Sequence, residues 1–304
     1  MTAEKLLVKK HKNKARPLYT VIFCILLLYV ISIFLPILWG VLTSLKDQTD
    51  FRVNVLGLPK GWPWEWHWDN FIKVFNGFYE QVTTPGVGRR RVYFSEMLLY
   101  TLLYAGGGAI IQTLVPCVVA YLTARFRYKF SAVINGLVVV LMVVPIVGSA
   151  PSEMQILRAL NLYDTIWGNY IQKFNFLGMY YLVFYAAFRS VPNDFFEAAY
   201  VDGASEMRVM VSIGMPMVRN VIGTVLLIKF IDFWNDYQTP LLYLPSYPTL
   251  ARGVFRLSQN SQGDFATVPF RMAGCMFLAI PILILFLIFK EKLMGNLSMG
   301  GIKE

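Results

Sequence analysis

The chain has 304 residues, 56% of them hydrophobic and 15% charged, with a formal net charge of +10. These proportions exclude an ordinary soluble domain and make the bilayer the first solvent to consider. Nucleic acid does not explain the charge, because Lys5, Lys9, Lys10, Lys12, Lys14 and Arg16 precede the first apolar run directly, where basic residues orient membrane proteins.

A crossing helix needs roughly 20 mostly apolar residues. Residues 1–17 read as a basic cytoplasmic tail, and residues 18–45 form the first uncharged window. That window is too long for a signal-peptide core of about 7 to 15 residues, so it should persist as a helix. Residues 46–95 form an outer loop with Trp62, Trp64, Trp66 and Trp68 at alternate positions and a basic run, Arg89 to Arg91. The tryptophans fit interfacial anchors or a stacking surface for sugar rings; the arginines run against the positive-inside tendency.

Residues 97–124 and 130–152 are the second and third windows, separated by Arg125, Arg127 and Lys129, and 272–289 is the last. Residues 168–188 are interrupted by Lys173, whose stem can snorkel to the interface, and 221–243 carry Lys229, Asp232 and Asp236. The reading is an all-α polytopic membrane protein whose six-helix membrane domain covers 18–292, with Lys290 and Lys292 after its last window and a cytoplasmic tail at 293–304. Pro36, Pro116, Pro145 and Pro281 punctuate the helices, and the triplet Gly106 to Gly108 permits close helix contact or a hinge. Cys24, Cys117 and Cys275 fall inside helices and read as packing residues.

With both termini cytoplasmic, residues 189–217 between helices four and five face the cytoplasm. Asn193 or Asp194 can cap a short helix, Gly203 interrupts it, and Ser205 can cap a second helix with Met207, Met210, Val211 and Gly214 on one face. Pro216 ends the element before helix five. Phe195, Phe196, Met207 and Met210 are its apolar knobs.

In helix five, Lys229, Asp232 and Asp236 recur at intervals of three and four and so share a face, flanked by Asn235 and Tyr237. Charges within hydrocarbon cost at least about 2.5 to 3.5 kcal/mol, so the stripe should face the bundle interior or a water-filled path. Lys229 and Asp232 are placed to pair, and either a packing ion pair or a solute pathway satisfies the pattern.

The run Glu197-Ala198-Ala199, three residues, Gly203, nine residues, Ile213-Gly214-Met215-Pro216 resembles the E-A-A-x3-G-x9-I-x-L-P signature of permease subunits of ATP-binding-cassette importers. Met215 replaces the signature Leu, a swap of similar volume. Residues 166–188 feeding into Arg189 and Pro192, the run Phe233 to Tyr237 with Pro240-Leu241, and residues 295–303 resemble the carbohydrate-uptake, maltose-transporter-type branch, in particular its permease without extra amino-terminal helices. The resemblance implies a type I importer permease fold in a bacterial or archaeal plasma membrane. It implies that Glu197, Ala198, Ala199, Asp202, Gly203, Ile213, Met215 and Pro216 couple to an ATPase dimer. Further implied partners are a second permease subunit, an extracytoplasmic solute-binding protein and the lipid bilayer. Lys229, Asp232, Trp234, Asn235, Asp236 and Tyr237 would then line the pathway of a sugar or oligosaccharide.

The sequence contains no G-x4-G-K-[ST], so ATP and Mg belong to the partner ATPase and this chain binds no cofactor. His11 and His67, the only histidines, form no H-E-x-x-H pair, and no G-x-S-x-G elbow occurs. An enzyme is therefore not expected. The alternatives are a permease for a polyol, sugar phosphate, amino acid or peptide, and more remotely a membrane scaffold or intramembrane enzyme.

Overall fold

The computed structural model describes residues 3–84, 88–126, 128–144, 148–259 and 266–297, with side chains over the same ranges apart from 3–17, 84 and 291–297. Arg127, Pro145 and residues 298–303 lie outside the described residues, as do the side chains of the basic tail and of Lys292. The chain divides into two compact units, residues 1–74 with 261–276 and residues 75–260 with 277–304.

In the first unit, α1 (Ala3–Ser44) begins inside the basic segment and continues through the first apolar window. Every side chain from residue 18 to residue 38 is exposed, which suits a helix solvated by lipid on all sides. The chain then turns sharply. Asp47 accepts from the Thr49 amide to cap α2 (Gln48–Val53), and the buried Lys46 ammonium donates to the Asn54 carbonyl at 2.5 Å. Asn70, in α3 (Asp69–Gly77), donates from Nδ2 to the carbonyls of Ser44 and Lys46, each at 2.9 Å. The Trp62 and Trp64 rings stack in parallel, centroids 5.3 Å apart, and both are exposed.

The second unit opens with a hairpin absent from the all-α expectation. β1 (Tyr79–Thr84) pairs antiparallel with β2 (Gly88–Tyr93), Glu80 opposite Val92 and Val82 opposite Arg90. Strand alternation separates the three arginines: Arg89 and Arg91 are exposed, while Arg90 turns inward to Glu96 at 3.2 Å and the Tyr100 hydroxyl at 2.8 Å.

The span α4 (Phe94–Arg125) is longer than predicted and contains a π-turn at Leu103–Gly107. Two glycines of the triplet there serve close packing, since a Cβ on Gly107 would stand 2.3 Å from the Tyr170 ring and one on Gly108 3.2 Å from Phe233. The third predicted helix is shorter than expected. α5 (Lys129–Val143) ends at an extended Val144, as the residue before a proline is pushed out of helical geometry, and α6 (Ala150–Ala159) starts afresh with Pro151 in its first turn.

The fourth window also divides, into α7 (Ile166–Gln172) and α8 (Met179–Arg189). Between them Asn175 Oδ1 accepts from the Leu177 amide and Gly178 adopts φ 145°, a local turn that overrides the apolar pattern. α9 (Asp194–Val201) and α10 (Glu206–Met217) precede α11 (Arg219–Asn235), which meets α10 at 76°. α11 stops short of the predicted 243, and α12 (Gln238–Tyr243) and α13 (Leu250–Gln259) follow. α14 (Val268–Leu297) closes the chain, its residues from Phe277 onward belonging to the second unit.

Among the described residues three helices are long and apolar enough to cross a bilayer, Leu18–Ser44, Phe94–Arg125 and Val268–Lys290, with a fourth if α10 and α11 form one broken span. The core of the second unit packs α4 against α8, with Cys117, Ala120, Tyr121, Tyr181, Phe184 and Phe188 buried. A polar thread runs through it: Thr123 Oγ1 meets the Tyr181 hydroxyl at 2.7 Å, and that hydroxyl donates to Asn135 Oδ1 at 2.8 Å.

At the hairpin, Arg252 of α13 is 5% exposed and makes a buried ion pair with Glu80 at 2.8 Å. Its Nη1 donates to the carbonyls of Leu244 and Pro245 at 2.9 and 3.0 Å. Removing one partner of such a pair leaves an uncompensated charge and costs about 3 to 5 kcal/mol. Arg252→Gln should therefore lower the thermal midpoint of the purified protein by several degrees, with Arg252→Lys recovering only part because ammonium lacks the planar fork. An unchanged midpoint would show that the pair does not hold the hairpin.

Candidate functional site

The strongest sequence signal folds into a helix, a turn and a second helix. α9 ends in a Schellman motif: the Gly203 amide donates to the Tyr200 carbonyl and the Ala204 amide to the Ala199 carbonyl, both at 3.0 Å. Gly203 takes φ 79°, as its place past a helix end requires. Asp202 is the C-cap residue, and Ala199 and Ala204 pack into the same core cluster.

Capping differs from expectation. Asn193 occupies the N-cap position but its side chain makes no cap bond; Oδ1 accepts instead from Arg125 Nη1 at 2.7 Å. Ser205 likewise caps by backbone position only. The two short helices are joined by the Tyr200 hydroxyl, which donates to Glu206 Oε2 at 2.5 Å. Burial, with the Glu206 carboxylate beside it, pushes the Tyr200 phenol above its ordinary value.

The predicted knobs separate into two sets. Phe196, Val209, Met210 and Gly214 are buried, whereas Phe195, Met207 and Val211 are exposed, so the four residues expected on one face of the second helix do not share one environment. Met207 and Val211 form one i,i+4 pair and Met210 and Gly214 another, so the boundary between the exposed and buried faces runs between the two pairs. Phe196 lies under the Arg125 guanidinium, 3.5 Å from ring centroid to Cζ, and beside Tyr121, which also meets Phe188 edge-on at 5.3 Å. A Cβ on Gly214 would stand 2.7 Å from the Tyr121 ring. Ile213 and Met215 pack partly against this cluster, and Glu197, Ala198 and Pro216 are exposed.

The polar residues of the fifth window form a different arrangement from the single stripe. Lys229 and Asp232 stand 3.4 Å apart, with the ammonium 4.6 Å from the Tyr180 ring centre. Asp236 lies beyond the last helical residue and is held by the Tyr104 hydroxyl at 2.6 Å and the Thr239 amide at 3.0 Å. Trp234 is 3% exposed and its indole N–H donates to the Leu278 carbonyl at 3.0 Å, so its ring packs inside the protein rather than facing a path. Asn235 bonds back to the Ile231 carbonyl, and the Tyr237 ring stacks on Phe255 at 4.4 Å.

Sequence reasoning missed the residues that complete this cluster. Lys173 places its ammonium 5.1 Å from the Phe233 ring centre, within electrostatic reach of Asp236, Glu153 and Lys229. Glu153 accepts from Gln172 at 2.8 Å and from the Tyr243 hydroxyl at 3.2 Å. Tyr104 and Asp236 are 132 positions apart, and only the charge of Lys173 inside an apolar window marked any of these partners.

Residues 117–293 match the family described as the binding-protein-dependent transport system inner membrane component. The chain belongs to that family. It is 25% identical to the sulfoquinovosyl glycerol transport system permease protein SmoH of Agrobacterium fabrum, over 88% of each chain. It is 24% identical to the diacetylchitobiose uptake system permease protein NgcG of Streptomyces coelicolor, over 91% of this chain and 86% of that one. Its fold matches a chain of a bacterial ABC transporter involved in the import of the acidic polysaccharide alginate, with TM-score 0.74 and 18% identity over 91% of this chain and 97% of that one.

The Gly203 turn gives a direct test. A Cβ there would meet nothing within 4 Å, so only the backbone conformation resists substitution. Gly203→Val should cost about 1 to 3 kcal/mol, whereas Gly203→Asn, which visits the left-handed region more readily, should cost less. Thermal unfolding of the two purified variants decides; equal losses would contradict the conformational explanation.

Proposed function

We propose that this chain is one of two permease subunits that form the pore of an ATP-driven importer for a sugar or oligosaccharide. The carrying observation is the segment around Gly203, whose buried face is locked to α4 and α8 while Phe195, Val201 and Met207 stand exposed at 52%, 87% and 66%. Apolar side chains grouped this way on a polar-rimmed element mark a partner surface. The partner read here is a dimer of ATP-binding-cassette ATPases, holding ATP and Mg, with Glu197, Ala198, Ala199, Asp202, Gly203, Ile213, Met215 and Pro216 as the coupling set. Closure of that dimer would push α9 and, through the 76° bend, re-aim α11.

Six crossings are read as α1, α4, α5, α8, α11 and α14, with both termini and residues 189–217 on the cytoplasmic side. The eleven residues of α8 extend only about 17 Å, so the α7 segment completes that crossing. A second permease subunit fits the groove of about 740 Å³ whose walls include Ala109, Ile110 and Phe230 and where Gly106 and Gly223 leave open space, as small residues favour close helix contact in membranes. An extracytoplasmic binding protein delivers the solute on the opposite side.

The saccharide assignment is supported by the solutes that the names of the relatives carry. Near the outer end of α11, Lys229, Asp232, Asp236, Lys173 and Glu153 are the candidate pathway groups. Their two cations face three carboxylates, so this subunit offers no surplus positive charge, and charge selection falls to the partner permease and the receptor.

Proteoliposomes containing both permeases and the ATPase, supplied with the receptor, should accumulate labelled oligosaccharide only with ATP. Phe195→Ala with Met207→Ala should lower uptake and receptor-stimulated ATPase activity together by about tenfold or more, the loss expected when a pair of interface anchors is truncated. Asp236→Asn should lower uptake while leaving basal ATPase activity intact. Uptake of an amino acid or peptide in place of any saccharide would overturn the substrate assignment, and full coupling in the double variant would overturn the docking surface.

A further inference from the structure

A cavity of about 620 Å³ opens where the ends of α4 and α8 meet α9, with Arg125, Arg189, Ser190, Asn193, Glu197 and Tyr200 on its wall. Arg125 is the last residue of α4, a helix that spans the bilayer by length and composition, and Arg189 is the last residue of α8. The two guanidiniums share one cavity, and the crossing of α4 proposed above puts them at the depth where hydrocarbon gives way to headgroups. Arg125 is fixed in orientation by the Asn193 carbonyl oxygen at 2.7 Å and by the Phe196 ring beneath it, which leaves most of its five N–H donors for another acceptor. Among the described residues neither arginine has a carboxylate within 4 Å. The wall carries two cations and one carboxylate, with Val191 and Pro192 as a small apolar edge.

We propose that this cavity binds the phosphodiester headgroup of an anionic phospholipid from the adjoining leaflet. A guanidinium fork matches phosphate oxygens bidentately, and a preoriented fork loses less freedom on binding than a free one. A lipid is favoured over a soluble phosphate because the cavity adjoins the end of α4, a helix long and apolar enough to cross a bilayer. Occupancy would bridge α4 and α8 through the base of α9, and so stiffen the loop that the ATPase grips. The headgroup depth rests on the crossing of α4 proposed above, and the effect on coupling on the ATPase partner proposed there.

The test is native mass spectrometry of the assembled complex extracted from nanodiscs of mixed phosphatidylglycerol and phosphatidylcholine, counting phosphatidylglycerol retained. Each juxtamembrane arginine contributes about fivefold to retention of an anionic lipid, so Arg189→Gln should lower retention about fivefold and Arg125→Gln with Arg189→Gln further, while Arg189→Lys keeps most of it. Glu197→Gln removes the opposing charge and should raise retention even if it disrupts the ATPase joint, which separates this inference from the coupling reading. Arg189 is exposed, so its variants should fold even if Arg125→Gln does not. Equal retention across wild type and the Arg189 variants overturns the proposal. Stabilisation of wild type, but not of Arg189→Gln, by soluble glycerol phosphate in phosphatidylcholine-only nanodiscs, with no difference in lipid retention, would identify a free phosphate as the ligand and also overturn it.

Discussion

Phe196 is fully buried between the Arg125 guanidinium and the Tyr121 ring, and that contact makes the loop around Gly203 part of the helical core of the second unit rather than an appendage to it. Burying a phenylalanine contributes about 1.5 to 3 kcal/mol, and the guanidinium above it adds about 0.5 to 2 kcal/mol more. Both neighbours belong to α4, and Tyr121 also packs edge-on against Phe188 of α8. Any displacement of α9 therefore has to be taken up by the helices that it touches, because a close-packed interior moves as a block instead of deforming locally.

The same contact explains why the loop has two faces of opposite character. Alanines at 198 and 199 keep α9 slim, one exposed and one in the core, and Gly214 has no Cβ because the Tyr121 ring occupies that space. On the second helix Met210 is buried while Met207 is exposed. The coupling role proposed above would use this division, with an inner face that fixes position and an outer face for a partner. The deeper cluster of Lys173, Glu153, Asp236 and Tyr104 obeys a related constraint, since each of its charges is placed near an opposite charge or a hydroxyl rather than left in hydrocarbon.

What the sequence makes legible is local. The uncharged windows of α1, α4 and α14 announce themselves, and the Gly203 turn follows from glycine at a fixed distance after a helix-forming run. Breaks within an apolar window do not announce themselves as clearly. The division between α7 and α8 depends on an Asn175 turn and on the conformation of Gly178, which hydropathy does not weigh. The hairpin from Tyr79 to Tyr93 was accessible through the Pro85-Gly86 dipeptide between two runs containing valine, a turn signal that the search for helices passes over. Long-range partners such as Tyr104 with Asp236 leave no trace in a single sequence, and neither does the use of Asn193 to orient Arg125 instead of capping α9.

The most direct measurement is a cysteine at Val201, which is 87% exposed on the loop tip. In sealed cells or vesicles carrying the assembled complex, this cysteine should be shielded from an impermeant thiol reagent added outside and should crosslink to the ATPase subunit, with a yield that changes when nucleotide is bound. Labelling from the exterior, or no crosslink to a nucleotidase in any nucleotide state, would contradict the account.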